Sequence, residues 1–505
     1  MLNRYRIYAA YLLAIPLALI LGILASSPDE LTFMLLGMLL FFLALPLFLK
    51  WHHALLIVFW NSAFNAVFLP GQPAFWLIFA ALSFGMSVLS YVMGRRPFLP
   101  VPEMTRSLLF MAAVVLGTAW CRGGIGIRSL GGAAHGGKNY IYILGAIFGY
   151  FALTAGQIPI LKSRRMAGLF FLAGTTNALS NLIYMLGPAF YILFYLVPIG
   201  PASSQASSEN ILSNMDRIQG LAPTCTAALC FLLALYGVRG LFDWTRPWRF
   251  VFLCLIFGAA SFSGFRSTIM LLFLVFAFQF YFEGLLRTRL FPIMVGLAIA
   301  GFVSLLLFAN RMPLTAQRAV SFLPVNVDSE ALEDAKGSSE WRFQMWALVW
   351  KEVPKYLIVG KGYSFDPSMM ESTAQGMDVG TLDSFEGSML VGDYHSGPLS
   401  VIIPFGIFGS VAFLWVLIAG FRVLYSNDQY GDARLRLINS VLLSYYLANV
   451  VQFLFIFGAF SGQLFIFTGA VGFSVSLNGG VKRKPKPEPE SGRASLPQAF
   501  AIEVK

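Results

Sequence analysis

Three residues of this 505-residue chain are of types that together could move a group off a phosphate: Arg266, Arg342 and His395. A guanidinium binds phosphate or diphosphate through forked hydrogen bonds. A neutral imidazole accepts a proton at near-neutral pH. Two cations and one titratable base are what a reaction with a phosphate leaving group requires. Taken singly, each residue has an ordinary alternative: a snorkelling arginine, a solvated helix arginine and a loop histidine.

The elements that must position these side chains are membrane helices. The chain is 57% hydrophobic and 12% charged, with a mean hydropathy of +0.72, whereas soluble domains carry about 25% charged residues. Apolar runs close to the ~20 residues that cross a bilayer recur along it. The sequence therefore predicts an all-α, polytopic transmembrane helix bundle of 12–14 spans. The candidate spans are 7–25, 31–49, 54–69, 74–93, 107–121, 140–157, 166–198, 222–241, 249–265, 268–283, 290–309, 398–421, 435–457 and 460–477. Span 166–198 is too long for one straight helix and contains "LGP", so we expect it to be tilted, kinked or split.

The distribution of lysine and arginine predicts the orientation of the bundle. Basic connections such as "GRRPF" (94–98), "KSRR" (162–165) and "DARLR" (432–436) fall on one side when the spans alternate, and that side is the cytoplasm. Both termini are then cytoplasmic, and Arg266, Arg342 and His395 share the opposite side. The predicted parts are an N-terminal bundle (1–309), a large periplasmic loop (310–397), C-terminal transmembrane helices (398–477) and a disordered cytoplasmic tail (478–505).

The loop 310–397 differs from the rest of the chain in charge. It contains twelve Asp or Glu and seven Lys or Arg, a net charge of −5, whereas the whole chain carries +11. A structureless loop of this length is uncommon in a compact domain, which suggests that the loop has a function. Within it, "SSEWRFQMWALVWKEVP" (338–354) predicts a helix that starts at serine and stops at Pro354. Its tryptophans suggest a position at the bilayer interface or against the spans. The glycines of "VGKGYSF" (359–365) predict a turn.

The order of these motifs resembles the O-antigen ligase and Wzy-type polymerase superfamily. An arginine lies in a short exterior hairpin, "SFSGFRSTIM" (261–270), and "WRFQMW" and "VPKYLIVGKGYSF" follow in a long exterior loop. A histidine then precedes "GPLSVIIPFGIFGS". The resemblance runs from roughly residue 210 to 475 and is specific as an ordered set rather than motif by motif. "MDRIQGLAP" (215–223) also looks like an exterior segment of the family, which makes Arg217 a secondary candidate.

The resemblance implies a GT-C-like glycosyltransferase of the bacterial inner membrane that needs no metal and no cofactor. Its donor would be a glycan on undecaprenyl pyrophosphate at the periplasmic face, and its acceptor a glycan or lipid A-core. By carry-over, Arg266 and Arg342 would hold the pyrophosphate, and His395 would accept the acceptor's proton or orient its hydroxyl. Asp393 is a secondary candidate that could tune the imidazole through a hydrogen bond. The basic tail indicates some affinity for membrane lipid and no nucleic-acid partner.

Two other classes of function stay open at the level of sequence. Carriers usually place carboxylates within their spans. The polar residues within these spans are mostly Asn and Gln, which disfavours a flippase or transporter of lipid-linked oligosaccharides. An exosortase-like membrane cysteine transpeptidase would use Cys225 with an arginine and a histidine. That alternative leaves the 88-residue loop and its motifs without a role.

Overall fold

The architecture follows from a computed structural model of the chain. It describes residues 16, 18, 22, 30–69, 71–94, 98–123, 137–210, 217–363 and 392–484. Most of the predicted first span, 7–25, and of the predicted tail, 478–505, therefore lies outside the described residues. The same is true of 364–391, within the predicted large loop.

The described residues form α-helices joined by short turns, with one isolated bridge between Asn65 and Ala74 as the only extended pairing among them. The prediction of an all-α polytopic bundle is confirmed. In chain order the helices are α1 (Glu30–Phe59), α2 (Phe75–Val92), α3 (Pro102–Arg122), α4 (Gly137–Thr154), α5 (Ile160–Leu172), α6 (Leu179–Leu186), α7 (Gly200–Asn210), α8 (Leu221–Leu241), α9 (Trp248–Ser261), α10 (Arg266–Phe282), α11 (Leu290–Phe308), α12 (Leu314–Val320), α13 (Ser329–Tyr356), α14 (Gly397–Tyr430), α15 (Arg436–Val451) and α16 (Phe460–Asn478).

Nine helical segments of the described chain are long and apolar enough to cross a membrane. They comprise α1, α2, α3, α5 continued through α6, α8, α11, α14, α15 and α16. The apolar helices α9 and α10 are shorter. Helix α9, with 14 residues, is shorter than the predicted span 249–265.

Two predicted spans, 31–49 and 54–69, differ from the structure. Helix α1 covers the first span and the beginning of the second, with non-helical backbone at Trp51, and after Phe59 the chain is irregular up to α2. The backbone of the irregular segment bonds to other elements instead of to a helix of its own. Ala63 N–H donates to Thr176 Oγ1 (2.9 Å) and Asn65 N–H donates to the Leu196 carbonyl (3.1 Å).

Predicted span 166–198 is split, as expected. Helix α5 gives way to a 3₁₀ segment, Ala173–Ala178, and then to α6, which ends before Gly187. A second 3₁₀ segment, Pro188–Tyr195, follows. Gly187 has a φ of +91°, which favours glycine and breaks the helix at the "LGP" sequence.

The centre of the bundle is closed by α4 and α16, which run against each other. Small residues permit the contact, since a Cβ at Gly472 would meet the Leu153 side chain at 3.1 Å. The indole of Trp60 enters the same contact, where a Cβ at Gly469 or Gly149 would overlap it at 1.9 or 2.5 Å. Close helix packing through small residues is typical of membrane bundles, which have no hydrophobic force to drive helices together.

The helix predicted over 338–354 is longer than expected. Helix α13 begins at Ser329 and continues through Pro354 to Tyr356. The start was missed because "EALEDAKG" contains no apolar period, although its residues are good helix formers apart from the glycine. The helix ends two residues after Pro354, so the proline lies in its last turn rather than at its stop. Of the three tryptophans, Trp346 packs on a buried cluster that includes Met345 and Tyr394, while Trp350 is exposed.

The turn after α13 packs into a break in α14. Gly360 and Gly362 have φ of +81° and +71°, so the predicted turn is confirmed. Their segment bonds to α14 where Gly406 (φ +63°) interrupts the helix: Lys361 N–H donates to the Ile403 carbonyl (2.8 Å) and Gly362 N–H to that of Pro404 (3.0 Å). The "GKG" and "IPFG" sequences are thus two halves of one structural joint, which fixes the end of α13 against α14.

Candidate active site

Arg266 is the first residue of α10 and lies against the side of α13. Its guanidinium Nη2 donates to the Ala335 carbonyl (3.0 Å) and to Ser339 Oγ (2.9 Å). Both partners are neutral, and Arg266 forms no ion pair with any residue that the structure describes. These contacts join the exterior hairpin predicted from sequence to the helix that carries Arg342.

Arg342 lies on α13 three residues after Ser339, so the two side chains share one helix face. Its guanidinium lies 5.7 Å from the centroid of the Phe457 ring. It makes no hydrogen bond or ion pair to the described residues. Burial lowers the pKa of the Arg342 guanidinium, and the positive charges of Arg266 and Arg318 lower it further, while Asp393 acts in the opposite direction. Arg342 therefore lies close to the positive charges of two other arginines.

His395 has a backbone φ of +50°, a conformation that few non-glycine residues adopt. The carboxylate of Asp393 stabilises it by accepting the His395 N–H (3.2 Å). Trp346 holds the preceding residue, since its Nε1–H donates to the Tyr394 carbonyl (2.9 Å). The Tyr394 side chain is buried. Backbone strain of this kind persists where surrounding contacts enforce it, and it recurs at active sites.

The imidazole of His395 is held between two aromatic rings. The rings of Trp341 and Phe457 each lie edge-to-face with it at a centroid distance of 5.3 Å. The same Phe457 ring contacts the Arg342 guanidinium. The side chain of His395 remains 29% exposed, and its Nδ1 lies 3.4 Å from Asp393 Oδ1. Phe457 thus contacts both His395 and Arg342.

The structure brings the three residues singled out from the sequence to one end of the bundle. Arg266 contacts α13 one turn before Arg342, and Arg342 shares Phe457 with His395. We call Arg266, Arg342 and His395 the arginine–histidine cluster. Two half-buried guanidiniums that lack a carboxylate partner in the described chain form a site with a strong preference for an anion.

The secondary candidate Arg217 has a different environment. Its Nη2 donates to both carboxylate oxygens of Asp334 (2.8 Å each), and Arg318 Nε bonds to the same carboxylate. Arg318 also donates to the carbonyl of Gly264 in the hairpin. Asp334 therefore links α13 to Arg318 of α12 and to Arg217, and its single negative charge compensates one of the two arginine charges. Arg217 supports the position of Arg266 from this network.

Sequence reasoning missed several residues that build this region: Arg318, Asp334, Ser339, Trp341 and Phe457. Trp341 directly precedes Arg342 in the "WRFQMW" sequence, so its proximity to the site was readable in principle. Phe457 lies in "FIFGAF" between α15 and α16 and has no distinguishing local signal. Asp334 and Arg318 are two among many charges of the loop, and only the fold shows that they pair.

Cys225, the candidate nucleophile of the alternative transpeptidase, is buried inside α8 with 3% of its surface exposed. A thiol in apolar surroundings is a poor nucleophile because burial disfavours the thiolate.

A polytopic, all-α bundle with long apolar helices defines a multi-pass membrane protein. Residues 249–414 of it match the family model described as O-antigen ligase. The matched segment contains Arg266, Arg342 and His395, and the match confirms the resemblance to the O-antigen ligase and Wzy-type superfamily over this segment. The match supports a function of the membrane glycan ligase or polymerase kind. No curated protein and no solved structure gave a significant match to the chain.

Proposed function

We propose that this protein is a glycosyltransferase of the bacterial inner membrane that moves a glycan from undecaprenyl pyrophosphate to an acceptor at the periplasmic face. The observation that carries the proposal is the arginine–histidine cluster. Its two guanidiniums form no ion pair within the described chain and lie beside a histidine that a third element presents. The family match supports the class of reaction, and the distribution of basic loops supports the side of the membrane.

In the proposed reaction, the two arginines bind the diphosphate of the donor. The acceptor hydroxyl attacks the anomeric carbon, and the bond from that carbon to the diphosphate oxygen breaks. Negative charge then builds on the leaving oxygen, and positioned guanidiniums stabilise it without reorganising. Because arginine supplies the charge compensation, the proposed enzyme needs no metal, and its GT-C-like class is what the resemblance implies.

His395 is the proposed acceptor of the hydroxyl proton. With Nδ1–H directed at Asp393, Nε2 is the nitrogen that takes the proton. The two aromatic rings fix the plane of the imidazole, as general-base catalysis requires. Asp393 is the proposed orienting residue. The acceptor is a lipid A-core if the enzyme is a ligase, or a second lipid-linked glycan if it is a polymerase.

The test is glycan transfer in proteoliposomes that contain an undecaprenyl-pyrophosphate-linked glycan. We expect Arg342→Ala and Arg266→Ala to lower kcat/KM by roughly 10²–10³-fold, since each removes a charge from the transition state. His395→Ala should cost roughly 10²–10⁴-fold through loss of the base. Arg342→Lys should recover little of the loss, because an ammonium cannot form forked bonds.

Arg311→Ala is the matched control. Arg311 is an exposed arginine at the start of the same loop, where its guanidinium lies over the Phe308 ring. We expect this variant to transfer glycan at the wild-type rate. Near-normal transfer by Arg342→Ala or His395→Ala would refute the proposed roles.

A further inference from the structure

A cavity of about 310 Å³ lies next to the arginine–histidine cluster, within the range of small-molecule sites. Thr268, two residues after Arg266 on α10, forms part of its wall. Gln452 forms another part and begins a π-helical turn, Gln452–Ile456, that leads directly to Phe457. The cavity and the cluster therefore share α10, and the π-helical turn leads from the cavity to Phe457, which contacts Arg342 and His395.

Three interruptions of helical structure converge on this cavity. The irregular segment after α1 contributes Asn61, the 3₁₀ segment Ala173–Ala178 contributes Asn177, and the π-helical turn contributes Gln452. Irregular backbone at membrane depth is tolerated only where it is buried in protein or lines a cavity. π-Helical turns are frequent at functional sites. Three such breaks around one cavity indicate a built site rather than a packing fault.

The side-chain amides around the cavity have atoms that form no hydrogen bond within the described chain. Asn61, Asn177 and Asn449 each donate from Nδ2 to a backbone carbonyl, those of Phe170, Gly174 and Tyr445, at 2.8 Å. Their amide oxygens accept no hydrogen bond from the residues that the structure describes. The Gln452 amide and the Thr268 hydroxyl likewise make no hydrogen bond within the described chain. None of these unbonded polar atoms is fully buried, so they are open to the cavity and can bond the hydroxyls of a ligand.

Another part of the wall is aromatic. Trp60, Trp76 and Phe465 line it, with the Trp76 and Phe465 rings stacked at 5.1 Å. Trp60 Nε1–H donates to the Phe465 carbonyl (3.1 Å). An aromatic face offers an apolar platform, while the amides of the lining offer donors and acceptors. A sugar ring has both kinds of surface, C–H groups on its faces and hydroxyls on its rim.

The residues that line the cavity include no Lys, Arg, Asp or Glu. A charged group, such as the diphosphate itself, would find no partner there. We infer that the cavity binds a neutral pyranose unit of the glycan substrate, with Gln452, Thr268 and the asparagines bonding its hydroxyls. This inference rests on the proposed function and adds the subsite that recognises sugar beside the one that recognises diphosphate.

The test uses Gln452→Leu and Thr268→Val in the proteoliposome assay. Neither side chain makes a hydrogen bond within the described chain, so a purely structural role predicts unchanged or higher thermal stability and unchanged kinetics. The inference predicts that each variant raises the KM of one substrate about tenfold, the effect of losing one hydrogen bond to a hydroxyl. Thr154→Val is the matched control, since Thr154 is also buried but bonds within its own helix, to the Phe151 carbonyl, and does not line the cavity. It should leave both KM values unchanged.

Separate measurements of the donor KM and the acceptor KM identify which glycan binds in the cavity. If the donor KM rises, the sugar belongs to the donor; if the acceptor KM rises, it belongs to the acceptor. For the donor, binding without turnover gives a second measurement. If the sugar belongs to the donor, the variants should reduce the difference in affinity between undecaprenyl pyrophosphate that carries a glycan and undecaprenyl pyrophosphate that carries none.

Unchanged values of both KM and affinity in Gln452→Leu and Thr268→Val would overturn the inference and leave a water-filled cavity. That result would not affect the proposed function, which near-normal transfer by Arg342→Ala or His395→Ala would refute.

Discussion

Four arginines meet around the first turn of α10, and their partners divide them into two pairs. Arg217 and Arg318 share the carboxylate of Asp334. Arg266 and Arg342 contact only carbonyl, hydroxyl and aromatic groups among the described residues. The first pair therefore holds the hairpin and the loop helices together. The charges of the second pair are not compensated by a carboxylate of the described chain, so they are available to an anionic ligand.

This division predicts a stability effect for Asp334→Asn. Arg318 is 6% exposed and would lose the charge of its partner, so we expect the free energy of unfolding to fall by about 1–3 kcal/mol. Thermal unfolding in detergent measures this change. The control is Glu352→Gln, which disrupts the exposed pair with Lys355 and should have no measurable effect. Equal stability of the two variants would show that Asp334 is not a structural anchor.

The residue types and order of the arginine–histidine cluster could be predicted from sequence, because charges and a lone histidine stand out near apolar runs. The positive φ of His395 could not, since it depends on Asp393 and on the contact of Trp346 with the Tyr394 carbonyl. Phe457 was equally hidden. Aromatic residues are abundant in this chain, and only packing selects one of them.

At the scale of elements, the glycine motifs of the resemblance have a structural explanation. "GKG" and "IPFG" bond to each other, and the joint fixes α13, with Arg342, against α14, with His395 at its start. Gly360 and Gly406 approach the partner backbone so closely that a Cβ would lie 2.2 Å from the Pro404 carbonyl and 2.6 Å from the Leu357 carbonyl. These glycines act on the site through helix position.

We therefore expect Gly360→Ala to disrupt the joint. It forces a side chain into a φ of +81° and against backbone atoms, and strain of this kind costs on the order of 1–3 kcal/mol. Both thermal stability and transfer should fall. Gly337→Ala is the control on α13, where an added Cβ meets nothing within 4 Å and alanine should stabilise the helix by about 1 kcal/mol. A Gly360→Ala protein as stable as wild type would contradict this role of the joint.

Helix existence was predicted better than helix ends. Long apolar runs reliably predicted α2, α3, α8, α11 and α14–α16, because hydropathy follows directly from composition. The irregular segment after α1 was read as a span, since its residues are apolar enough. Its backbone instead bonds to Thr176 and Leu196, contacts that sequence does not display.

At the scale of the whole molecule, the site draws on distant parts of the chain. The matched segment, 249–414, contains the arginine–histidine cluster, while the cavity beside it is lined by Asn61, Asn177 and Gln452 from outside that segment. A family motif identifies residues for the shared chemistry. We propose that the less distinctive outer segments recognise the particular glycan.

The division into an N-terminal bundle, a large loop and C-terminal helices remains a prediction from sequence, as does the cytoplasmic position of both termini. The packing of α16 along α4 and of α14 along α3 shows that helices from the two predicted transmembrane parts form one core. The two parts therefore fold against each other rather than as separate units.

The central claim is that Arg266 and Arg342 hold one diphosphate. Its most direct test is the Kd of undecaprenyl pyrophosphate, carrying no glycan, for wild type, Arg266→Ala, Arg342→Ala and the double variant in nanodiscs, with Arg311→Ala as control. We predict that each single substitution raises Kd roughly 10–100-fold, and that the double variant shows less than the sum of the two losses, because both groups bind one headgroup. Unchanged Kd in both single variants, with Arg311→Ala indistinguishable from them, would contradict the claim.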